Sequence, residues 1–377
     1  MTSTSVRSVL VIGGGTAGNG LTVLLRRAKI AVDLIEAKPD WNVSGSGITL
    51  QGNALRALRE IGVWERVRES GFAFDEVGLT APDGTVLHVA RDARTGGEDL
   101  PATVGMQRPW LQRVLIDAVK ASGANVRLGT TVTALRSDDD GVDVEFSDGT
   151  TGRYDLVVGA DGISSATRAM IGITERPEPT GMAIWRAPAP RPAGVERTDL
   201  AYGGPAYIAG YCPTGPDTVY AYLVEPKRDR AAIDPATYAE EMRRLAAGYG
   251  GHWEQIAASI TDPGQVNYTW FDRHLVEGPW HRDRVVLVGD AAHACPPTLA
   301  QGAAMSLEDV LVLAELLTGE QEFSEQVLLD YQARRLPRVR MVVENSCQLG
   351  RWLMDGVRDA DVPGLMARTT AVLKETP

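Results

Sequence analysis

The chain opens on a short apolar run, Val9-Leu10-Val11-Ile12, bounded by Ser8 and Gly13. With no polar position inside it, the run predicts a strand buried on both faces. After the glycines at 13–18 the period changes. Leu21, Leu24, Leu25 and Ala28 fall at i, i+3, i+4 and i+7, the stripe of an amphipathic helix. Ala31–Ile35 reads as a second strand ending on Glu36, so the first 36 residues predict a βαβ unit. Leu55, Leu58 and Ile61 continue a helical pattern from Leu50 to Arg68, which Gly62 divides in two.

Residues 72–102 predict short strands around Pro82-Asp83-Gly84, then a charged, glycine-rich loop. Helical spacing returns at Leu111, Val114, Leu115 and Ala118. Asp148-Gly149 predicts a hairpin turn between Val142–Phe146 and Thr150–Tyr154. Between 176 and 216 the composition shifts to many prolines, and five of the ten tyrosines lie between Tyr202 and Tyr222, predicting a second, mostly β layer. A further buried strand, Arg284–Val288, precedes a strong helix with Leu307, Val310, Leu311 and Ala314 on one face. The tail beyond 320 predicts amphipathic helix interrupted at Pro337.

Composition narrows the function. With 377 residues the chain suffices for one large or two ordinary domains. A formal charge of −11, from 38 basic and 49 acidic residues, disfavours nucleic acid or anionic lipid as a partner. The three cysteines, Cys212, Cys295 and Cys347, are widely spaced and the five histidines lack ligand spacing, so neither a disulfide framework nor a metal site is expected. No run reaches the ~20 apolar residues of a membrane span, and the N-terminus lacks the apolar core of a signal peptide. A cytoplasmic protein, monomer or homodimer, is the expectation.

Gly13-x-Gly15-x-x-Gly18 follows a strand, opens a helix and precedes an acid at the end of the next strand, the context in which a dinucleotide fingerprint is meaningful. The glycines permit a tight turn, close approach of a pyrophosphate and close helix packing, while the helix N-terminus offers free N–H groups. Two more strands deliver acid–glycine pairs to turns: Asp161-Gly162 after Asp155-Leu156-Val157-Val158-Gly159, and Gly289-Asp290 after Arg284–Val288. With these three motifs the sequence resembles the FAD-dependent aromatic hydroxylases, the single-component class A flavoprotein monooxygenases that include p-hydroxybenzoate, salicylate and urate hydroxylases. The resemblance runs from about residue 1 to 345.

It implies an α/β fold with a Rossmann-like FAD/NAD(P)-binding domain from 1–71, 103–175 and 272–377. A mixed β-sheet substrate domain from 72–102 and 176–271 and C-terminal helices complete the expected fold. It also implies FAD as cofactor and NADH or NADPH as co-substrate. O₂ would add to the reduced flavin, and the C4a-hydroperoxide would deliver one oxygen to a small aromatic substrate. By the same resemblance Glu36 and Ala37 meet the adenosine, Ala17 the pyrophosphate turn, Gly289 and Asp290 the ribityl–pyrophosphate region, and Asp161 supports the dinucleotide site. Gly47 and Thr49, in Gly45-Ser46-Gly47-Ile48-Thr49, are candidate flavin contacts, and Val132 a contact to the adenine end.

Arg108 begins the core-facing stripe of Leu111 and Leu115, where a guanidinium requires a partner. The family's R-x-x-L-x-x-x-L pattern brings it to the FAD phosphate and ribityl chain. Pro296-Pro297-Thr298-Leu299-Ala300-Gln301-Gly302 resembles the family's loop at the flavin ring, with Ala300 where glycine is usual. On the substrate side, Tyr220 and Tyr222 share one strand face and Arg186 is a candidate anion anchor, against the plainer readings of core aromatics and a surface ion pair. Tyr220 is the candidate group to deprotonate or polarise a phenol-like substrate. His293 reads as structural. Alternatives are a flavin-dependent reductase or dehydrogenase on the same scaffold, and a non-catalytic nucleotide-binding regulator; a halogenase would want a W-x-W-x-I-P segment that the chain lacks.

Overall fold

The computed structural model describes residues 6–41, 45, 47–319 and 323–377; the first five residues of the N-terminal stretch, and Ser46 of the glycine segment, lie outside them. Strand β1 (Ser8–Ile12) has Val9, Leu10 and Val11 fully buried, as a run without a polar face demands. Helix α1 (Thr16–Arg27) buries Leu21, Leu24 and Leu25; Ala28 is its exposed C-cap and does not extend the stripe. Strands β2 (Ala31–Glu36) and β3 (Ile48–Gln51) lead into α2 (Gly52–Ile61) and α3 (Trp64–Ser70). The break between the helices falls at Gly62, whose φ of 90° ends α2.

Strands β4 (Phe72–Phe74), β5 (Glu76–Thr80) and β6 (Val86–Arg91) precede the loop 92–102. Then come β7 (Thr103–Met106), α4 (Arg108–Ser122) and β8 (Asn125–Leu128). An antiparallel meander of β9 (Val132–Ser137), β10 (Val142–Phe146) and β11 (Thr151–Tyr154) includes the expected Asp148-Gly149 turn. It is followed by β12 (Leu156–Gly159) and the short α5 (Ala166–Met170).

The next stretch carries β13 (Glu178–Pro190), β14 (Thr198–Ala201), β15 (Ile208–Pro213) and β16 (Thr218–Pro226). Two helices unforeseen in the sequence follow, α6 (Tyr238–Ala246) and α7 (His252–Ser259), before β17 (Asn267–Leu275). Their buried residues, Ala239, Met242 and Leu245 in α6 and Trp253 and Ile256 in α7, cover one face of the sheet made by the surrounding strands. Strands β18 (His281–Arg282), β19 (Val285–Leu287) and β20 (His293–Ala294) and helices α8 (Gly302–Thr318), α9 (Glu325–Met354) and α10 (Val362–Lys374) complete the chain.

Pro337 does not interrupt α9, which runs through it. A proline inside a helix costs about 3 kcal/mol. Here Tyr331, Val339 and Val342 are fully buried on either side of it, and packing of that extent overrides the local penalty.

A six-stranded sheet in the order β18-β19-β12-β1-β2-β8 is parallel except at β18, so the three strands that deliver the glycine–acid motifs, β1, β12 and β19, are neighbours. An eight-stranded sheet runs β20-β17-β13-β16-β15-β14-β5-β6, and a small sheet β3-β7-β4 lies between the two. Along β13 and β16 the residues alternate. Trp185, Ala187, Ala221 and Leu223 face α6 and α7, while Arg186, Tyr220 and Tyr222 lie on the opposite face.

Candidate active site

The fingerprint turn is built by exclusion. Gly13 has φ 107°, and a Cβ there would lie 2.4 Å from the Ala160 carbonyl oxygen; a Cβ at Gly18 would lie 1.9 Å from that of Gly13. Gly15, the N-cap of α1, has open space where its side chain would be. Glu36 closes the turn by accepting from Gly14 N at 2.8 Å, and its other oxygen accepts from Lys38 N at 2.9 Å. The Gly14 carbonyl accepts from Asn19 Nδ2 at 2.9 Å, Trp41 Nε1 at 3.0 Å and Gln112 Nε2 at 2.6 Å. None of these three donors was singled out in the sequence. Ala37 is exposed just past Glu36, and Thr130 N donates to the Glu36 carbonyl, bringing the start of β9 and Val132 to the same edge.

The second and third motifs lock to the first. Asp161 turns both oxygens inward, accepting from the Ser165 hydroxyl at 2.5 Å and from Thr167 N and Oγ1 at 2.9 Å, so its carboxylate shapes the Gly162 turn. Arg168, buried, donates to the carbonyls of Ile163 and Ala291 and thereby ties the Asp161 turn to the Gly289-Asp290 turn. Gly289, at φ 59°, leaves room for Ser306 of α8 and for Ala17 of α1. Asp290 is exposed beside this junction. The protein around it raises its pKa, although His293 and Arg108 pull the other way.

Arg108 occupies the first position of α4. Among the described residues it has no hydrogen-bond or ion-pair partner. Its side chain is solvent-accessible, yet desolvation and then Arg186 lower its pKa, with Asp290 and Tyr220 acting against them. Arg108, Arg186, Asp290 and Tyr220 are therefore near enough to act on one another around one space. The space also receives the substrate-side residues. A Cβ at Gly47 would lie 2.4 Å from Tyr220, and one at Gly45 would lie 3.3 Å from Arg108. Thr49 hydroxyl approaches Cys212 Sγ at 3.9 Å, and Cys212 is the cross-strand neighbour of Tyr220.

Arg186 donates to Thr269 Oγ1 at 3.0 Å and forms no ion pair among the described residues. Burial pushes the Tyr220 phenol up, with Arg186 pulling it back. The net direction keeps Tyr220 protonated at neutral pH, a hydrogen-bond donor and not a base. Tyr222 stacks on it with ring centroids 5.0 Å apart, and burial raises its pKa well above the usual value. Tyr202, in the loop after β14, lies near enough for its charge to act on Tyr222. It is exposed, but the enclosing protein raises its pKa.

The remaining loop precedes α8. Pro297 is exposed, Leu299 buried, and Gly302 has open space around its Cα. Ala300 adopts φ 53°, ψ 32°, the left-handed conformation that glycine takes most readily, so the chain holds this backbone shape while carrying a Cβ. Gln301 is fully buried, paired with Gln51 and accepting from Asn53 Nδ2 at 2.9 Å.

Behind the loop lies an ionic cluster. Glu308 accepts from Asn53 at 3.0 Å, Arg335 at 2.9 Å and Arg338 at 2.8 Å. Asp309 accepts from Arg335 Nε at 2.8 Å, Gly289 N at 2.8 Å and His293 Nε2 at 2.6 Å. Burial alone would raise the Asp309 pKa, but His293 and Arg335 overcome it and hold the carboxyl at about 2. His293 is thus structural, as its motif suggested. The sequence held a signal for the cluster. Two acids inside an apolar helix, and two arginines at i, i+3 on a later one, need each other once buried.

Gly47, Arg108, Arg186, Asp290 and Tyr220 thus lie together, the Gly289-Asp290 turn meets Ala17 at the start of α1, and among the described residues the Arg108 guanidinium has no partner. This fits a dinucleotide with a charged middle. A family model described as an FAD binding domain matches residues 7–346. The chain belongs to this FAD-binding family. It is 31% identical over 349 residues to the aurachin C monooxygenase/isomerase of Stigmatella aurantiaca, across 92% of this chain and 90% of that one. It is also 31% identical over 355 residues to the 2-heptyl-3-hydroxy-4(1H)-quinolone synthase of Pseudomonas aeruginosa, across 91% and 89%. Klebsiella pneumoniae HpxO, solved with FAD and uric acid, shares the fold with a TM-score of 0.81 at 24% identity, over 98% of this chain and 93% of that one. The protein is a flavoprotein monooxygenase, which fits the hydroxylase expectation and not the reductase or regulator. Among the described residues no helix is long and apolar enough to cross a membrane.

Proposed function

We propose that the protein hydroxylates a small aromatic or heteroaromatic compound at the expense of NADH or NADPH and O₂. The observation that carries this reading is the meeting of Gly47, Arg108 and Asp290 with Tyr220 and Arg186. When bound, FAD supplies the activation of O₂ and the transfer of one oxygen atom. The chain supplies the rest. Gly13, Gly15, Ala17 and Gly18 bring the α1 N-terminus to the pyrophosphate, Glu36 keeps free lone pairs for ribose hydroxyls, and Ala37 and Val132 border the adenine. Arg108 meets the phosphates, Gly289 and Asp290 the ribityl chain, and Asp161 supports the site through its turn. Gly47, Thr49, Pro297, Ala300, Gln301 and Gly302 surround the ring, and the α8 N-terminus stabilises negative charge there.

On the opposite wall, Arg186 takes an anionic or strongly polar substituent. Tyr220, protonated, donates to a ring oxygen and so orients the ring, with Tyr222 stacked behind it. In this reading 1–71, 103–175 and 272–377 form the FAD-binding part and 72–102 and 176–271 the substrate layer, in a cytoplasmic monomer or homodimer. The test is NADH and NADPH oxidation with O₂ uptake across hydroxybenzoates, hydroxypyridines and fused heteroaromatics. Hydroxylated product with matching O₂ consumption is expected; product formed without O₂ consumption overturns the reading.

A further inference from the structure

Ala300 is held in a conformation that a Cβ disfavours, and both of its neighbours are clamped from outside the loop. On one side Leu299 is buried in a small apolar cluster of its own with Leu349 and Trp352 of α9 and Leu365 of α10, while Thr298 donates to the Ser346 carbonyl at 2.6 Å. On the other side Gln301 is held through Asn53 to Glu308. Glu308 in turn binds Arg338, whose guanidinium donates to the carbonyls of Val372, Leu373 and Glu375 at the end of α10. Arg56, 3.9 Å from Glu308, donates to the carbonyls of Lys374 and Glu375. Two physically separate routes, one apolar and one ionic, thus join α10 to the two residues flanking Ala300. Helix α10 begins at Val362, beyond the stretch 7–346 that matches the FAD-binding family.

We propose that α10 is a brace for the loop 297–302. It substitutes for the conformational freedom of a glycine by fixing Leu299 and Gln301, so that Ala300 stays left-handed and the loop is preformed for FAD. A backbone freed at one residue redistributes into the commoner conformations, and strain of this kind persists only where the surroundings over-determine it. Leu365 and Asn53 are positioning residues in this scheme. The inference rests on the reading of 297–302 as a flavin contact, but on nothing about substrate.

The test uses apo-protein, the FAD dissociation constant from quenching of flavin fluorescence, and hydrogen exchange over residues 297–303. Leu365→Ala is expected to speed exchange in the loop and raise the dissociation constant about tenfold, the equilibrium equivalent of the left-handed penalty for a Cβ-bearing residue. Adding Ala300→Gly to Leu365→Ala is expected to restore affinity to within about twofold, because glycine takes the left-handed conformation without a brace. A general loss of stability would speed exchange throughout the chain and not in the loop alone. If Leu365→Ala does not fold, Leu365→Val gives the same ordering at smaller amplitude. Unchanged exchange in the loop overturns the brace. Faster exchange with unchanged FAD affinity overturns its link to the cofactor, loop exchange that bound FAD does not slow overturns the reading of 297–302 as a flavin contact, and failure of the glycine rescue overturns the role of Ala300.

Discussion

Two helix N-termini face the same space, and they are made by opposite means. Helices α1 and α8 pack together, close enough at Gly20 that a Cβ there would meet Ile61, Val310 and Leu307. The turn into α1 is made by removing side chains, since Gly13 and Gly18 leave no volume for a Cβ. The turn into α8 is made by adding them. Ala300 keeps its methyl, and the loop is fixed by Leu299, Gln301 and a buried cluster of Glu308, Asp309, Arg335 and Arg338, with His293 on Asp309, reaching from α8 to α9 and β20. A turn made of glycines is a local solution, insensitive to distant parts of the chain. A turn made of side chains inherits the stability of everything those side chains touch.

The comparison breaks most sharply at the first turn. Gly18→Ala places a methyl 1.9 Å from the Gly13 oxygen, and the expected loss is about 4 kcal/mol or more of stability together with the flavin colour. Thermal unfolding and the visible spectrum of the purified protein measure both. At the second turn the corresponding blow is electrostatic. Arg335→Met leaves Glu308 and Asp309 buried, each without one of its three donors, and urea unfolding should show a loss of about 3–5 kcal/mol.

Acid separates the two turns without mutation. The Asp309 pKa is depressed to about 2, so its stabilisation is complete above the unfolded-state value near pH 4 and is lost as pH falls toward 2. The gap in unfolding free energy between the protein and Asp309→Asn should shrink over that window by roughly 2 kcal/mol. The smallest effect is at Ala300. Ala300→Gly relieves a left-handed penalty but adds chain entropy, for a net gain of about 0.5 kcal/mol by denaturant titration.

The same contrast sorts what was legible in the sequence. Strands β1, β12 and β19, the helix stripe of α1 and the break at Gly62 all announce themselves within a few residues, and so does the first turn. Glu308 and Asp309 find their partners 26 to 30 residues later, and Asn53 reaches Gln301 across 248 positions. A lone acid on a helix reads as a solvated face until the partner is in place. The helices α6 and α7 escaped notice because the proline-rich stretch before them set the expectation of a continuous β layer. Pro337 by its local rule predicts a break, which packing on both sides of α9 overrides. Tyr202 carried no motif, and only the fold sets it beside Tyr222.

The three donors on the Gly14 carbonyl have a consequence for the sign of the field in the fingerprint turn. A carbonyl oxygen has two lone pairs, and here Asn19, Trp41 and Gln112 engage them from three different directions. An oxygen so occupied has its lone pairs turned into the protein, so that an approaching anion meets the N–H groups at the start of α1 beyond Gly14. In a molecule whose net charge of −11 repels anions from a distance, that local polarity is what admits a diphosphate at contact.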